Sequence, residues 1–152
     1  VLALDCAYHF PSREQFIRDG FTLLTESSNP QSKRVVLTDI VLAKDLNQLS
    51  WHKKALLKGM LWLSRIPQHN IVTEKNYIST LHGIGFKKVD SKDISESVFL
   101  PFGAWLALEE NRIKEAASSR SIWLKYKITT AFLAWAYNND VLRYVIFSAT
   151  LK

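Results

Sequence analysis

Apolar and polar positions along the chain follow two rhythms. The runs "VLAL" at 1–4, "RVVLTDIVLA" at 34–43 and "VLRYVIFSATL" at 141–151 are short, continuous and rich in branched or aromatic residues, the pattern of buried strands. Between them apolar residues recur at helical spacing. In "PSREQFIRDGFTLLTE" Phe16, Ile17, Leu23 and Leu24 supply an apolar face interrupted by Gly20, and Ser12 with Gln15 has capping-box spacing. From 44 to 67, Leu56, Met60 and Leu63, with Trp51 and Leu57 one position off, predict a helix whose wetter side carries Lys53, Lys54, Lys58 and Arg65. Pro67 is expected to stop it. Thr73 opens a capped helix, "TEKNYISTLHG", that Gly83 or Gly85 terminates. "GFKKVDSKDIS" mixes apolar and charged positions and predicts a short, partly exposed strand. The amphipathic "AWLALEENRIKEAASSR" and the more apolar "SIWLKYKITTAFLAWAY" predict two more helices, and "NND" is a turn into the last strand.

The order of these elements matters for chemistry. Strand, helix, polar turn ("SSNPQSK", 27–33) and strand predict a right-handed crossover, with 1–10 and 34–43 as parallel neighbours in an α/β sheet. Open sheets of this kind place ligands at the carboxyl ends of their strands. The first strand ends in "DCAYH", and the second carries Asp39. Asp5 is therefore read either as a partner for a ligand's ammonium group or as a local cap. His9 is read either as a group that takes a proton from a bound ligand, the work imidazoles commonly do near neutral pH, or as a hydrogen bond that steadies the loop. Tyr8 suits packing beside that site. Asp39 is read as a site acid directed at that ligand or His9, or as a loop hydrogen bond.

Composition narrows the classes. A length of 152 residues with 5 glycines and 4 prolines suits one folded domain rather than a disordered chain. The lone Cys6 excludes an internal disulfide, fits a reducing, cytoplasmic setting, and reads as a small buried hydrophobe rather than a nucleophile. The net charge of +6 is spread along the chain with no ordered nucleic-acid motif. His9, His52, His69 and His82 lack ligand spacing, so no metal is expected. No apolar run approaches the length of a membrane span, and no signal-peptide pattern opens the chain. The aromatic-rich stretch from Trp51 to Leu63 suits a core helix, a lid against an apolar acceptor, or a helix in weak peripheral association with a membrane.

"VLALDCAYHFPSREQF" followed by "RVVLTDIVLA", a helix ending in "LHGIGFKKVD" and the final "LRYVIFSATLK" resembles the second half of a class I, S-adenosylmethionine-dependent methyltransferase, in particular the sterol and small-molecule group. The resemblance implies the C-terminal part of a Rossmann-like, seven-stranded fold. Residues 1–10, 34–43, 84–92 and 141–150 would be strands four, five, six and seven with covering helices, the seventh antiparallel beside the fifth. Residues 44–72 would be a helical insertion or lid. It implies further that Asp5 and Cys6 lie against the cofactor, that Tyr8, His9 and Trp51 line the pocket of a small-molecule or lipid-like acceptor, and that His9 and Asp39 serve the chemistry. One departure is plain. The glycine-rich loop and ribose-binding acid of such enzymes are absent, and "GIG" at 83–85 follows a helix rather than a strand. The 152 residues are thus expected to be a fragment of an incomplete domain whose parent supplies roughly 100 more residues or above. Alone, the chain is expected to bind the cofactor poorly or not at all and to be inactive; the alternative is a noncatalytic interaction protein derived from such an enzyme.

Overall fold

The computed structural model describes residues 1–28, 33–112 and 120–151, with the side chains of 120–122 excepted. Four strands, β1 (Leu2–Leu4), β2 (Arg34–Leu42), β3 (Lys88–Asp93) and β4 (Leu142–Thr150), form one sheet in the order β1-β2-β4-β3. β1 runs parallel to β2, and β4 lies antiparallel between β2 and β3. The parallel pairing of the first two apolar runs is as the sequence pattern predicts, and the antiparallel last strand is as the resemblance implies. The first strand is shorter than the expected 1–10: it stops at Leu4, because Asp5 takes a left-handed φ of 54° and residues Ala7–His9 coil into a 3-10 turn.

Side chains alternate across β2 and β4 and so divide the core in two. Val35, Leu37, Val41, Val145, Phe147 and Ala149 face one side, where α1 (Arg13–Glu26) and α3 (Glu74–Ile84) cover them. Ile40, Leu42, Leu142 and Tyr144 face the other, under α2 (Trp51–Leu63), α4 (Ser95–Leu108) and α5 (Arg120–Asn138). The result is a small mixed sheet between two helical layers. The expected turn at 27–33 lies largely outside the described residues, as do 113–119 of the expected helix over 104–120. That helix begins earlier than its amphipathic pattern suggests, at Ser95, and runs through Pro101.

Helix faces are set by packing more than by apolar count. α1 buries Arg13, Ile17, Gly20 and Leu24, a stripe at i, i+4, i+7 and i+11, and leaves Leu23 63% exposed. Its start is as expected: Ser12 Oγ accepts from the Gln15 N–H at 3.1 Å, although the Gln15 amide turns away to donate to Asp19. α2 buries Leu57, Met60 and Leu61, not Leu56. It ends four residues before Pro67, because Arg65, at φ 55°, donates to the Trp62 carbonyl while Ile66 donates to that of Leu61, a Schellman cap without glycine.

α3 closes with the same motif, now on Gly85. Its φ is 126°, Gly85 donates to His82 and Phe86 to Leu81, and a Cβ at this position would stand 2.7 Å from Cζ of Phe21. Both the backbone region and the space exclude a side chain. Gly85→Ala is expected to destabilise the fold by about 1–3 kcal/mol from backbone strain alone. Urea unfolding measures it, and a midpoint equal to wild type would show that α3 does not depend on this cap.

Candidate functional site

The carboxyl end of β1 is where the first candidate residues meet. The Asp5 N–H donates to Oγ1 of Thr38 at 2.9 Å, Thr38 Oγ1 lies 3.0 Å from the Tyr144 hydroxyl, and that hydroxyl donates to Asp5 Oδ1 at 2.9 Å. A backbone N–H only donates and a carboxylate only accepts, so the ring has one direction: Asp5 amide to Thr38, Thr38 to Tyr144, Tyr144 to Asp5. Tyr8, three residues on, adds a second donor to the same Oδ1 at 2.7 Å. Among the described residues no donor reaches Oδ2. The left-handed backbone of Asp5 is the strain that turns its carboxylate out of the strand line toward both tyrosines.

Burial holds these phenols in the donor form. The Tyr8 hydroxyl is pushed well above its ordinary value, first by burial and then by its bond to Asp5. Tyr144 is raised as well, chiefly by burial and against the lowering effect of Thr38.

Asp5, Tyr8, His9 and Tyr144 open onto a cavity of about 760 Å³, a size typical of small-molecule sites. Its other walls come from the end of α2 (Met60, Leu61, Leu63), from α4 and from α5. Phe99, Phe102 and Trp105 line it from α4, Phe132 and Tyr126 from α5. Pro101, also on the wall, has no N–H to give the Ser97 carbonyl one turn back, so the wall includes a helix carbonyl without its usual donor. His9 is exposed at the edge of the cavity, its ring 4.6 Å from that of Tyr8.

Other sequence candidates lie elsewhere. Asp39 does not close its strand; β2 continues to Leu42, and alternation turns Asp39 to the face opposite the cavity. It is fully buried, 3.4 Å from Arg13 Nη1, and accepts from the Ile40 N–H. Burial, opposed by Arg13, pushes its carboxyl up to about 6. Arg13 stacks on Tyr77, 4.2 Å from the ring centroid, and Tyr77 stacks on Phe147 at 4.0 Å. The Tyr77 hydroxyl is buried beside Asp39 without closing a hydrogen bond. Cys6 is half-buried against the α1–α3 side of the core. Trp51 is 80% exposed at the start of α2 and does not line the cavity.

The sequence reading passed over Thr38, Tyr144 and the aromatic residues of α4 and α5. A signal existed for the first two: a hydroxyl one position before Asp39 and a tyrosine inside an apolar strand both fall on the face that strand alternation assigns to the cavity. It also passed over Asn70, which is 2% exposed. Asn70 Oδ1 accepts from the Arg13 N–H at 3.2 Å, its amide donates to the carbonyls of Tyr8 at 3.2 Å and Phe10 at 2.6 Å, and its own carbonyl accepts from Arg13 Nη1. This residue ties the loop after Tyr8 and the start of α1 to the turn that precedes α3.

The glycines decide what cofactor surface the chain offers. Gly20, Gly59 and Gly103 sit inside α1, α2 and α4, while Gly83 and Gly85 sit at the end of α3, so none follows the carboxyl end of a strand. The residues present do not fit a complete S-adenosylmethionine cradle. Among the described residues no group of three or more His, Cys, Asp or Glu is placed to hold a metal ion.

No family model and no curated protein matches the chain. Solved structures do. Over 99% of this chain, the structure is similar to phosphoethanolamine N-methyltransferase 2 of Haemonchus contortus in complex with phosphomonomethylethanolamine and S-adenosylhomocysteine, with TM-score 0.74 and 11% identity. It is similar to a sarcosine dimethylglycine methyltransferase, so assigned without proof, from Galdieria sulphuraria, with TM-score 0.70 and 12% identity over 99% of the chain. It is also similar to the cyclase SpnF, with TM-score 0.59 and 15% identity over 98% of the chain. The chain spans 32%, 52% and 47% of those three proteins. At such identities the likeness is one of fold: an α/β, methyltransferase-like fold with a small mixed sheet and flanking helices. The cyclase among these neighbours illustrates that the fold alone does not fix the reaction.

Proposed function

We propose that the chain is the acceptor-binding, C-terminal part of a class I S-adenosylmethionine-dependent methyltransferase, β1, β2, β3 and β4 standing for strands four, five, six and seven, and that its acceptor is a small or lipid-like amine. One observation carries the choice of amine: the exposed Asp5 carboxylate, held through Oδ1 by two tyrosine hydroxyls, lines a cavity walled by aromatic rings. A carboxylate pairs with an ammonium group, and aromatic faces attract cations and their alkyl substituents alike. Two neighbouring structures are named for methyl transfer to amines, which supports the same class here.

Each residue then has a part. Tyr8 and Tyr144 hold Asp5, and Asp5 orients the acceptor rather than the cofactor's own ammonium. His9 takes the proton that the acceptor sheds. Cys6, Asp39 and Trp51 are left to packing, structure and surface. S-adenosylmethionine, when bound, supplies an electrophilic methyl group; the cradle for it is assigned to sequence outside these 152 residues. The noncatalytic alternative draws on the same absence of a glycine loop.

Titration calorimetry separates these readings. Phosphomonomethylethanolamine and a long-chain dimethylamine are the probes, with a neutral carbon analogue of the latter as control. The amines are expected to bind better than the control, and Asp5→Asn to weaken them about ten- to a hundredfold. Equal binding of amine and control, or no effect of Asp5→Asn, would remove the amine assignment. Tight, stoichiometric binding of S-adenosylmethionine by this chain would overturn the division of the cofactor site.

A further inference from the structure

We propose that the apolar surface around the cavity mouth docks on an anionic lipid bilayer. The inference stands apart from the acceptor's identity. It begins with α4, whose fourteen residues carry a single charge, Glu96. A helix so apolar is normally covered on all sides, yet Leu100 is 40%, Trp105 51% and Leu108 86% exposed. Across the cavity, Leu124, Tyr126 and Ile128 of α5 are 57%, 46% and 40% exposed. Trp62, between the cavity-lining Leu61 and Leu63, is 81% exposed. Trp105 and Tyr126 are both lining and surface, so the mouth itself is aromatic.

Charge selects the occupant. Residues 46–73 and 120–139 contain no Asp or Glu, while Lys53, Lys54, Lys58, Arg65, Arg120, Lys125 and Lys127 all fall within them. These seven cations exceed the entire formal surplus of +6, and five of them, Lys53, Lys54 and Lys58 on α2 with Lys125 and Lys127 on α5, are carried by two helices that line the cavity. The acidic pair following α4 is partly offset, Glu109 lying 3.6 Å from Arg112. Exposed tryptophan and leucine bordered by lysine is the combination that inserts at a headgroup boundary and is held there by anionic lipid. No helix of the described residues is long and apolar enough to cross a membrane, so contact is on one leaflet, with the cavity opening toward the lipid.

Vesicle co-sedimentation of the 152-residue chain tests this, with phosphatidylcholine alone and with about 30% phosphatidylserine. The chain is expected to sediment with the anionic vesicles and to be released by about 0.5 M salt. Lys58→Gln and Lys127→Gln should each weaken binding about fivefold. Trp62→Ser with Leu108→Ser should weaken it at least about tenfold, and circular dichroism should stay unchanged because both side chains are exposed. Absence of vesicle binding at low salt, or binding indifferent to all four substitutions, overturns the proposal. So does concentration-dependent dimerisation in sedimentation velocity that Leu108→Ser abolishes while vesicles bind nothing, which would assign the surface to a second copy.

Discussion

Arg13→Met is expected to destabilise the protein by about 3–5 kcal/mol at pH 7.5, the cost of leaving a buried charge without its partner, and by clearly less at pH 5. Arg13 is 7% exposed and Asp39 fully buried, so water cannot replace the guanidinium. The loss also includes the stacking of Arg13 on Tyr77. The pH dependence follows from Asp39, whose carboxyl is raised from 3.8 to about 6 even with Arg13 in place. A carboxyl with a folded pKa above its unfolded value contributes stability that is full below the unfolded value and lost as pH rises through the folded one. In the wild type that window runs from 3.8 to about 6. Removing Arg13 removes the principal lowering influence, so the upper end moves higher and protonation at pH 5 relieves the buried charge. Urea unfolding of both proteins at the two pH values measures the difference. An equal deficit at both would mean that Asp39 is not the group left uncompensated.

Asn70→Ala is expected to cost a comparable amount, about 3–5 kcal/mol, for a different reason. Three backbone groups lose their partner, the Arg13 N–H and the Tyr8 carbonyl buried and the Phe10 carbonyl half-buried, and each unpaired buried group costs about 1–3 kcal/mol. The damage is also local. The loop that carries His9 keeps the bond of His69 to the Pro11 carbonyl but loses its central tie. Amide exchange over residues 8–13 should therefore accelerate beyond the change set by global stability. A deficit below about 1 kcal/mol with unchanged exchange would show that the loop holds itself.

Pairing was legible wherever a run of apolar residues stood alone. β2 and β4 announced themselves because both faces of each are covered, and the parallel pairing of β1 with β2 followed; the antiparallel course of the last strand came from the resemblance and not from its residues. Asp5, Tyr8 and His9 were legible as a group because they interrupt such a run at its carboxyl end. The face that Asp39 takes was not legible, for a reason of parity: a polar residue inside a buried strand belongs to one face, and the sequence does not say which face the cavity opens on until the helices above are known. Arg13 and Asn70 were invisible because their partners lie 26 and 57 residues away. Trp51 draws attention by size, yet α2 gives the cavity its far end, Met60, Leu61 and Leu63, and the aromatic wall comes from α4 and α5, whose apolar pattern is that of any buried helix.

The placement of β4 has a consequence for synthesis. It is the strand shared by β2 and β3, and it is made about 100 residues after β2. At roughly 5–20 residues per second, the nascent chain carries β2 with one edge unpaired for about 5–20 s. During that interval β2 has, of its two partners in the described sheet, only the three-residue β1, a short pairing by itself. The helices can form as they emerge, but neither half of the core can close until the last strand slides between two others already waiting. Slow or stalled translation through 120–140 therefore prolongs exposure of a β-branched edge, the state in which this chain is most open to pairing with another copy of itself.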